Sequence, residues 1–237
     1  MTLSTQRLDK FLSQHCQVSK GDVRLMLAQK RVHVDGELAL DIEQQVNKFS
    51  KICLDNKLIQ DNPAYYVMLH KPVGVVCATK DKQHQTVIDL LEDDYKHELH
   101  IVGRLDLNTS GLVLLTNDST WSEAITQPQQ KVEKTYQVTL QNPMNERYID
   151  QFSRGMYFEY EDIITQPAKL TLLDEYNAEV KLTEGKYHQI KRMFGRFRNP
   201  VVSLHRSQIG HIQLDDSLAV GQSRQLSQIE VDKFKRV

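Results

Sequence analysis

Apolar residues near the start of the chain recur at helical spacing and predict two short helices. Leu8, Phe11 and Leu12 are spaced so that they share one face of a first helix. A second helix is predicted to begin at Ser19, because Asp22 follows three residues later in the arrangement of a capping box. The apolar residues that come after Asp22 supply the buried side of this second helix.

The hydrophobic period then changes to that of strands. Val32-His33-Val34 alternates apolar and polar side chains, and the Asp35-Gly36 pair that follows is typical of a tight hairpin turn. A further strand is predicted at residues 51–54. The first part of the chain therefore predicts a small unit of two helices and a short sheet.

A polar segment separates this unit from the rest of the chain. Residues 55–63 (DNKLIQDNP) lack periodicity and end in Asn-Pro, so we predict a linker there and domains at 1–59 and 60–237. Beyond the linker, apolar runs of strand length recur with few helical patterns between them. These runs lie at 65–74, 112–116, 136–140 and 178–182. The pattern predicts an α+β domain built on an extensive, largely antiparallel sheet.

The composition is ordinary for a globular protein. Hydrophobic residues make up 40% of the 237 residues, and a net charge of −1 does not by itself indicate a nucleic-acid binder. Cys16, Cys53 and Cys77 form no CxxC pair, so neither a zinc site nor a disulfide framework is expected. No segment approaches the ~20 apolar residues of a membrane span. We expect a cytoplasmic protein without membrane contact.

Positive charge is concentrated locally. Residues 181–206 contain seven Lys/Arg against one Glu, with Tyr187, His188, Phe194 and Phe197 interleaved among them. Basic side chains neutralise phosphates and flat rings stack on exposed bases, but composition alone fits a solvated basic face equally well. In the first domain, the cations that cluster on or just after the second helix are Lys20, Arg24, Lys30 and Arg31. These four residues are predicted to lie against an RNA backbone.

The segment GRLDLNTSGLVLLT, residues 103–116, places a polar loop directly before a buried strand. The aliphatic run at 112–115 must be buried, so the loop approaches the core. Gly103 and Gly111 permit unusual backbone angles or close approach of two backbones at the ends of this loop.

The loop holds one carboxylate, Asp106, which must find a partner near the core. One interpretation is an Asp that caps a turn through Thr109, Ser110 or backbone amides. The other is an Asp nucleophile or base, kept ionised by a nearby cation. An aspartyl-phosphate hydrolase is rejected, because the second Asp that such enzymes place two positions later is Asn108 here.

Residues 103–116 resemble the signature of the RsuA-type ribosomal RNA pseudouridine synthases, with the core G-R-L-D-x-x-T/S-x-G and its apolar tail intact. Four further segments resemble motifs of the same family, in the family's order. They are LHKPVGVVCAT at 69–79, EKTYQVTL at 133–140, EGKYHQIKRMF at 184–194 and LHRSQIGHIQL at 204–214. Residues 6–54 resemble the S4 (αL) RNA-binding domain of this family. The resemblance implies an S4-like domain at 1–59 and a catalytic domain with a mixed, largely antiparallel sheet at 60–237.

The resemblance also implies a catalytic site made of Asp106, Tyr136 and Lys191. Asp106 is then the reacting carboxylate, Lys191 its partner in a charge-assisted hydrogen bond, and Tyr136 a ring that stacks on the uracil and delivers a proton. The residues implied to bind the substrate or to support its binding are Arg104, Lys71, Pro72, Leu204, His188 and Arg192. Of these, Arg104 touches the RNA or displaces the target base, and Leu204 packs against the base. Taken alone, each of these side chains also fits an ordinary core or surface position.

Two supporting roles follow from the same resemblance. Lys71 and Pro72 are expected to organise the floor of the site, and His188 with Gln189 is expected to orient a loop. The implied reaction breaks the N1–C1′ bond of uridine and joins C5 to C1′, and we expect neither a cofactor nor a metal. Attack on the sugar, attack on the base and proton transfer from C2′ remain open as the role of the carboxylate.

The segments on either side of the signature, residues 80–91 and 121–128, most resemble family members that modify uridine 516 of 16S rRNA. The expected partner is therefore 16S rRNA, free or in a partly assembled small ribosomal subunit, bound by a monomer. Two alternatives stay open, namely the same reaction on 23S rRNA and a catalytically silent rRNA-binding assembly factor. The joint presence of Asp106, Tyr136 and Lys191 argues against the silent factor.

Overall fold

The computed structural model describes residues 5–234, and the chain divides into two compact units. Unit 1 covers the described residues up to Ala64 together with Asp118–Thr120. Unit 2 begins at Tyr65 and contains the remainder. The observed division therefore falls later than the predicted boundary at 59/60.

Unit 1 contains two helices and six short strands. Their bounds are β1 (Gln6–Arg7), α1 (Leu8–Cys16), α2 (Lys20–Ala28), β2 (Val32–Val34), β3 (Glu37–Leu38), β4 (Gln45–Val46), β5 (Ile52–Leu54) and β6 (Lys57–Gln60). Four of the strands form a sheet in the order β3-β2-β5-β6, and β1 pairs with β4. The predicted helix residues Leu8, Phe11 and Leu12 are all buried in the core of this unit.

The local signals in unit 1 act as predicted. Ser19 and Asp22 form the reciprocal hydrogen bonds of a capping box at the start of α2. Asp35 and Gly36 both have positive φ (54° and 87°), which is the backbone that a two-residue hairpin between β2 and β3 requires.

The predicted linker is wrong over part of its length. Within residues 55–63, β6 pairs with β5 in an antiparallel hairpin. Asp55 and Asn56 turn this hairpin with φ of 52° and 60°. Strand β6 lies at the edge of the sheet and is little buried, with Leu58 half exposed. The segment therefore does not need the alternation of apolar and polar residues that marks a buried strand.

Unit 2 is built on a nine-stranded sheet. The elements that follow unit 1 along the chain are β7 (Tyr66–Lys71), β8 (His100–Val102), β9 (Ser110–Thr116), α3 (Ser119–Thr126), β10 (Lys134–Leu140), α4 (Arg147–Arg154), β11 (Tyr157–Phe158), β12 (Ile163–Ile164), β13 (Lys169–Leu172), β14 (Asn177–Leu182), α5 (Gln189–Gly195), β15 (Val201–Ile209), β16 (Ile212–Gln213), β17 (Ser223–Gln225) and α6 (Gln228–Asp232). Two short 3-10 helices lie at Asp94–Glu98 and Pro128–Gln130.

The sheet runs in the order β13-β14-β10-β15-β9-β7-β17, with β16 beside β15 and β8 beside β9. Its paired strands are antiparallel except β9 and β15, which are parallel. The prediction of a mixed, largely antiparallel sheet in an α+β fold is confirmed, and all four predicted strand runs are strands.

Strand β9 is buried on both faces, which explains its unbroken aliphatic run. Val113 and Leu115 belong to one hydrophobic cluster, and Leu112 and Leu114 to another on the opposite face. A strand covered on both sides needs apolar residues at consecutive positions rather than at alternate ones. The loop before β9 is thereby attached to the most buried strand of the unit. None of the helices in the part of the chain that the structure describes is long and apolar enough to cross a bilayer.

Candidate active site

The loop that carries Asp106 connects β8 to β9 and is fixed by hydrogen bonds from the buried side chain of Lys71. Lys71 is fully buried at the end of β7. Its Nζ donates to backbone carbonyl oxygens of Thr109 (2.7 Å), Pro72 (3.0 Å), Asp106 (3.1 Å) and Leu107 (3.4 Å). Burial lowers the pKa of Lys71, while the nearby Cys77 and Asp106 act in the opposite direction. The buried ammonium therefore fixes the backbone on both sides of the carboxylate.

A second buried cation, Arg206 on β15, fastens the ends of the same loop. It is 2% exposed. Its Nε donates to Leu112 O (2.8 Å), its Nη2 to Gly103 O (2.8 Å) and its Nη1 to Arg104 O (3.4 Å). Within the described residues, neither Arg206 nor Lys71 has a carboxylate partner within 4.0 Å, so both bring unpaired positive charge to the backbone of the Asp106 loop.

The glycines at the two ends of the loop have the unusual backbone angles predicted for them, and Gly111 also allows the predicted close approach of two backbones. Gly103 has a φ of 77° and Gly111 a φ of 110°. Gly111 lies opposite Arg206 where β9 and β15 run parallel, and a Cβ at this position would come within 2.3 Å of the Arg206 carbonyl oxygen. Only glycine lets the two strands approach this closely.

Above the loop lies a cavity of about 440 Å³, within the size range of small-molecule sites. It collects six predicted site residues from four segments of the chain. They are Arg104, Asp106, Tyr136, His188, Lys191 and Leu204. Tyr136 on β10 and Leu204 on β15 come together because these strands are neighbours in the sheet.

The Asp106 carboxylate is open to this cavity. Its side chain is about one-third exposed, and His188 Nε2 lies 3.5 Å from its Oδ2. In the part of the chain that the structure describes, the carboxylate accepts no hydrogen bond from Thr109, Ser110 or a backbone amide. The turn is instead closed through the backbone, with Thr109 N donating to Asp106 O at 3.1 Å. The Asp106 carboxylate is therefore not used to cap the turn.

The predicted hydrogen bond between Lys191 and Asp106 is not present, since no ion pair joins these two described residues within 4.0 Å. Lys191 does line the same cavity. His188 precedes α5 with a left-handed backbone (φ 50°), and its ring is the basic group beside Asp106. Lys191 lies within α5, three residues farther along the chain.

Three residues predicted to contact substrate lie outside the cavity. Lys71 is buried beneath the loop, and Pro72 offers its carbonyl oxygen to Lys71. Arg192 forms two hydrogen bonds with Glu161, at 2.7 and 2.6 Å, and its guanidinium lies 3.7 Å from the Phe158 ring centre. The prediction for Arg192 is corrected because its positive charge is already matched by a carboxylate.

Pairing and burial also reduce the basic surface predicted for residues 181–206. Besides Arg192, Arg196 is paired with Glu159 (3.0 Å) and Lys181 with Glu179 (3.4 Å), and Arg206 is interior. Of the seven cations, those that keep a solvent-accessible side chain without a described carboxylate partner are Lys186, Lys191 and Arg198.

The aromatic residues within residues 181–206 also divide into packed and solvent-accessible ones. Phe194 is buried, and Phe197 stacks on Tyr148 at 3.9 Å. Tyr187 is 72% exposed and stacks on His188, with ring centres 3.9 Å apart. Tyr187 and His188 are therefore the rings of this stretch that line the cavity, and His188 lies beside Asp106.

In unit 1, the cations predicted to bind RNA share the surface of α2 and the residues just after it. Lys20, Arg24 and Lys30 are exposed. Arg31 instead makes two hydrogen bonds with Asp55, at 2.7 and 2.6 Å. Three of the four positions therefore present cationic side chains to solvent.

Sequence reasoning missed the interior role of Arg206 and the presence of Cys77 in the cavity wall. Leu204 and Arg206 are two residues apart on β15, so their side chains share one face of the strand, and both are buried. The two-residue period of the strand could therefore have predicted that Arg206 is buried like Leu204. Cys77 Sγ accepts a hydrogen bond from Leu105 N at 3.2 Å, and burial raises the pKa of its thiol.

Two further contacts order the segment before α5. Gln189 Nε2 donates to Glu184 at 2.6 Å, and Gln189 Oε1 accepts from Lys186 N at 2.9 Å. This geometry fits the expectation that Gln189 orients the loop. Among residues 5–234, no three His, Cys, Asp or Glu side chains come together as a metal site would require.

The sequence profile of the RNA pseudouridylate synthase family matches residues 65–195, more than half of the chain. The chain belongs to the RNA pseudouridylate synthase family. The five motifs thus lie in a chain whose family membership is confirmed, and the site around Asp106 lies in the segment that matches the pseudouridylate synthases.

Named pseudouridylate synthases cover nearly the same length as this chain. The chain is 45% identical to ribosomal small subunit pseudouridine synthase A of Pseudomonas aeruginosa, over 95% of this chain and 98% of that protein. It is 41% identical to the protein of the same name from Escherichia coli K12, again over 95% and 98%. A crystal structure of a pseudouridylate synthase superposes with a TM-score of 0.70 at 39% identity, covering 97% of this chain and 99% of that one.

Proposed function

We propose that this chain converts uridine to pseudouridine in 16S rRNA, at uridine 516, with Asp106 as the reacting carboxylate. The observation that carries the proposal is the open Asp106 carboxylate in a cavity shared with Tyr136 and Lys191. The small-subunit enzymes to which the chain is 41–45% identical favour 16S rRNA over 23S rRNA.

The geometry supports a role for each group in the isomerisation. The N1–C1′ bond of the target breaks, the uracil turns, C5 bonds to C1′, and the proton lost from C5 is replaced by one at N1. Tyr136 and Leu204, on neighbouring strands, line the cavity that the uracil would enter, and Lys191 supplies positive charge at its wall. Lys71 and Arg206 hold the Asp106 loop, so that the carboxylate is in place before substrate arrives.

The target base must leave its stack to reach Asp106, at a cost of a few kcal/mol by general estimates. Arg104 is exposed at the cavity wall, where it can contact the RNA next to the displaced base. We propose that unit 1 is an S4-like RNA-binding domain whose Lys20, Arg24 and Lys30 contact the phosphate backbone. Such contacts offset the cost of flipping.

The test is pseudouridine mapping at nucleotide resolution in 16S and 23S rRNA, free and in partly assembled subunits. Wild-type protein is expected to create one new site in 16S rRNA, and Asp106→Asn is expected to create none while its RNA affinity stays within a few fold. The amide keeps the size of the side chain but carries no negative charge. Full activity of Asp106→Asn would refute the proposed chemistry, and a site in 23S rRNA would refute the proposed substrate. No site in either RNA would favour the assembly-factor alternative.

A further inference from the structure

A second groove, of about 770 Å³, opens next to the candidate active site. The two cavities share Arg104, Tyr136, Gly185 and Lys186 as lining residues. The second groove therefore adjoins the first cavity directly. Both cavities lie within unit 2.

The groove is lined by cations that have no carboxylate partner among the described residues. Arg104, Lys131 and Lys186 are exposed, and Lys134 is half-buried. Glu184 is the acidic residue among those that line the groove. The net charge of the wall is therefore clearly positive, although the whole chain has a net charge of −1.

Glu184 forms no ion pair within 4.0 Å with these cations in the part of the chain that the structure describes, and its contacts are hydrogen bonds from uncharged groups. Its Oε1 accepts hydrogen bonds from Gln166 N at 2.8 Å and from Gln189 Nε2 at 2.6 Å. Both donors belong to the protein and fix the loop around residue 185. The cations of the groove remain available to an anionic ligand.

Lys134 is the least solvated of the four cations. Its Nζ donates to Val132 O at 3.0 Å, which leaves two N–H groups for a ligand. Burial lowers the pKa of Lys134, and the positive charge of Arg206 lowers it further. A partly desolvated ammonium gains most from an anion that binds beside it.

A rival basic pocket on unit 2 lacks these properties. It has a volume of about 580 Å³ and is lined by Arg147, Arg154 and Arg196, together with Asp150. Arg196 is already paired with Glu159. The pocket shares no lining residue with the candidate active site. Its residues therefore serve as matched controls.

We infer that the groove lined by Arg104, Lys131, Lys134 and Lys186 binds phosphates of the single-stranded RNA that flanks the target uridine. The inference rests on the proposed function and extends it by assigning the direction in which the strand leaves the active site. Arg104 lies at the junction of the two cavities and contacts the phosphate nearest the target. Lys131 and Lys134 contact phosphates farther along the strand.

The first experiment compares RNA binding by wild type, Lys131→Gln, Lys134→Gln and the control Arg147→Gln. The probe is a 16S rRNA fragment that contains uridine 516, titrated at several salt concentrations. Each groove variant is expected to bind roughly five- to tenfold more weakly at low salt and to lower the salt slope by about 0.7, the value for one single-strand phosphate contact. The turnover number at saturating RNA is expected to stay within about twofold, and Arg147→Gln is expected to match wild type.

A second experiment locates the contact on the RNA. Single uncharged methylphosphonate linkages are placed at successive positions on each side of the target. At the contacted linkage, neutralisation is expected to weaken binding by wild type and to have no further effect on Lys134→Gln. Equal and additive losses for the variant at every position would overturn the assignment.

The two proposals fail in different ways. If wild type forms pseudouridine but Lys131→Gln keeps the wild-type affinity and salt slope, the groove assignment is overturned and the proposed function stands. If wild type forms no pseudouridine but the groove variants still lose affinity, RNA binding by the groove stands and the proposed function is overturned. Lys131 is exposed, so its variant carries the test even if Lys134→Gln does not fold.

Discussion

At the scale of single residues, the main finding is that Asp106, which we propose as the reacting carboxylate, is positioned through backbone contacts rather than through its side chain. Lys71 and Arg206 bind carbonyl oxygens around the loop, while Asp106 itself faces the cavity. Such an arrangement keeps the carboxylate fixed yet leaves its oxygens free to react. We therefore expect Lys71 and Arg206 to act as positioning residues for Asp106.

Lys71→Met is expected to lower both stability and turnover. Methionine fills a similar volume but leaves the carbonyl oxygens of Thr109 and Pro72 without the Lys71 donor, and that of Asp106 with the Thr109 amide alone. Loss of a buried charged hydrogen-bonding group costs about 2–4 kcal/mol. Denaturant unfolding followed by fluorescence of Trp121, the single tryptophan, measures the stability, and single-turnover assays measure the rate.

The exposed Lys80 provides a matched control, and Lys80→Met is expected to match wild type in both assays. In folded Lys71→Met, the turnover number is expected to fall at least tenfold with a smaller change in RNA affinity. A folded Lys71→Met protein with the wild-type turnover number would contradict a positioning role for Lys71.

At the scale of secondary-structure elements, the parallel contact of β9 with β15 joins two segments far apart in sequence. His205 and Arg206 pair with Ser110 and Gly111 at this contact. The Ser110 hydroxyl also lies 2.9 Å from His205 Nδ1. This contact brings the Asp106 loop and the Leu204 strand to one end of the sheet.

Gly111→Ala is expected to destabilise the protein by at least about 2 kcal/mol, because the added Cβ meets a backbone oxygen and φ is positive. Gly195→Ala is the control, since a Cβ there has open space around it. Thermal unfolding of both variants measures the difference. Equal melting temperatures for Gly111→Ala and wild type would show that the two strands separate without cost.

A second element-level feature is the link between β17 and α6, made by Arg224, Ser227 and Glu230. Hydrogen bonds from Arg224 lower the pKa of Glu230 from 4.5 to about 2, with further contributions from Ser227. A carboxylate with a lowered folded-state pKa stabilises the protein above its unfolded pKa. That contribution disappears as pH falls through the folded-state value.

The stabilisation from Glu230 is therefore expected to be complete above about pH 4.5 and lost by about pH 2, with a size on the order of 2–3 kcal/mol. Urea unfolding between these pH values measures it. In Glu230→Gln this component of the pH dependence is expected to vanish, whereas Glu175→Gln, at an exposed position, is expected to keep it. Identical pH profiles for wild type and Glu230→Gln would contradict the assignment.

At the scale of the whole molecule, each unit has a hydrophobic core of its own. The cluster around Phe11 belongs to unit 1, and the clusters on the two faces of the nine-stranded sheet belong to unit 2. Separate cores allow one unit to be removed without emptying the core of the other.

Removal of residues 1–64 is expected to leave unit 2 folded, with Trp121 still buried, and to weaken RNA binding at least tenfold. The expected loss reflects the proposed phosphate contacts of Lys20, Arg24 and Lys30. Fluorescence of Trp121 checks the fold, and titration of 16S rRNA fragments measures the affinity. Unchanged affinity of the folded fragment would show that unit 1 does not serve as the RNA-binding domain.

Local signals explain how much of the fold was predictable. The capping box of Ser19 and Asp22, the Asp35-Gly36 turn and the four strand runs depend on neighbours within a few residues, so the sequence displays them directly. Strand β6 was missed because its pairing with β5 at the edge of a sheet leaves no apolar period.

The candidate site was predictable only where motifs mark it. Asp106, Tyr136 and Lys191 lie in segments that resemble family motifs, and the structure brings them to one cavity. Which cations are paired, buried or exposed could not be predicted from motifs. Arg192 meets Glu161, and Arg206 reaches Gly103, through contacts that join distant segments of the chain.

By itself, the sequence determined the local elements, the α+β class and the residue types available for chemistry, because these depend on short-range order and covalent identity. Only the tertiary structure decided which charges stay exposed and which are paired or buried. It made Arg206 an interior support, placed His188 beside Asp106, and brought Lys131 and Lys134 together in the groove that adjoins the cavity. Electrostatic interactions depend on distance and burial, and folding sets both for residues that the sequence keeps apart.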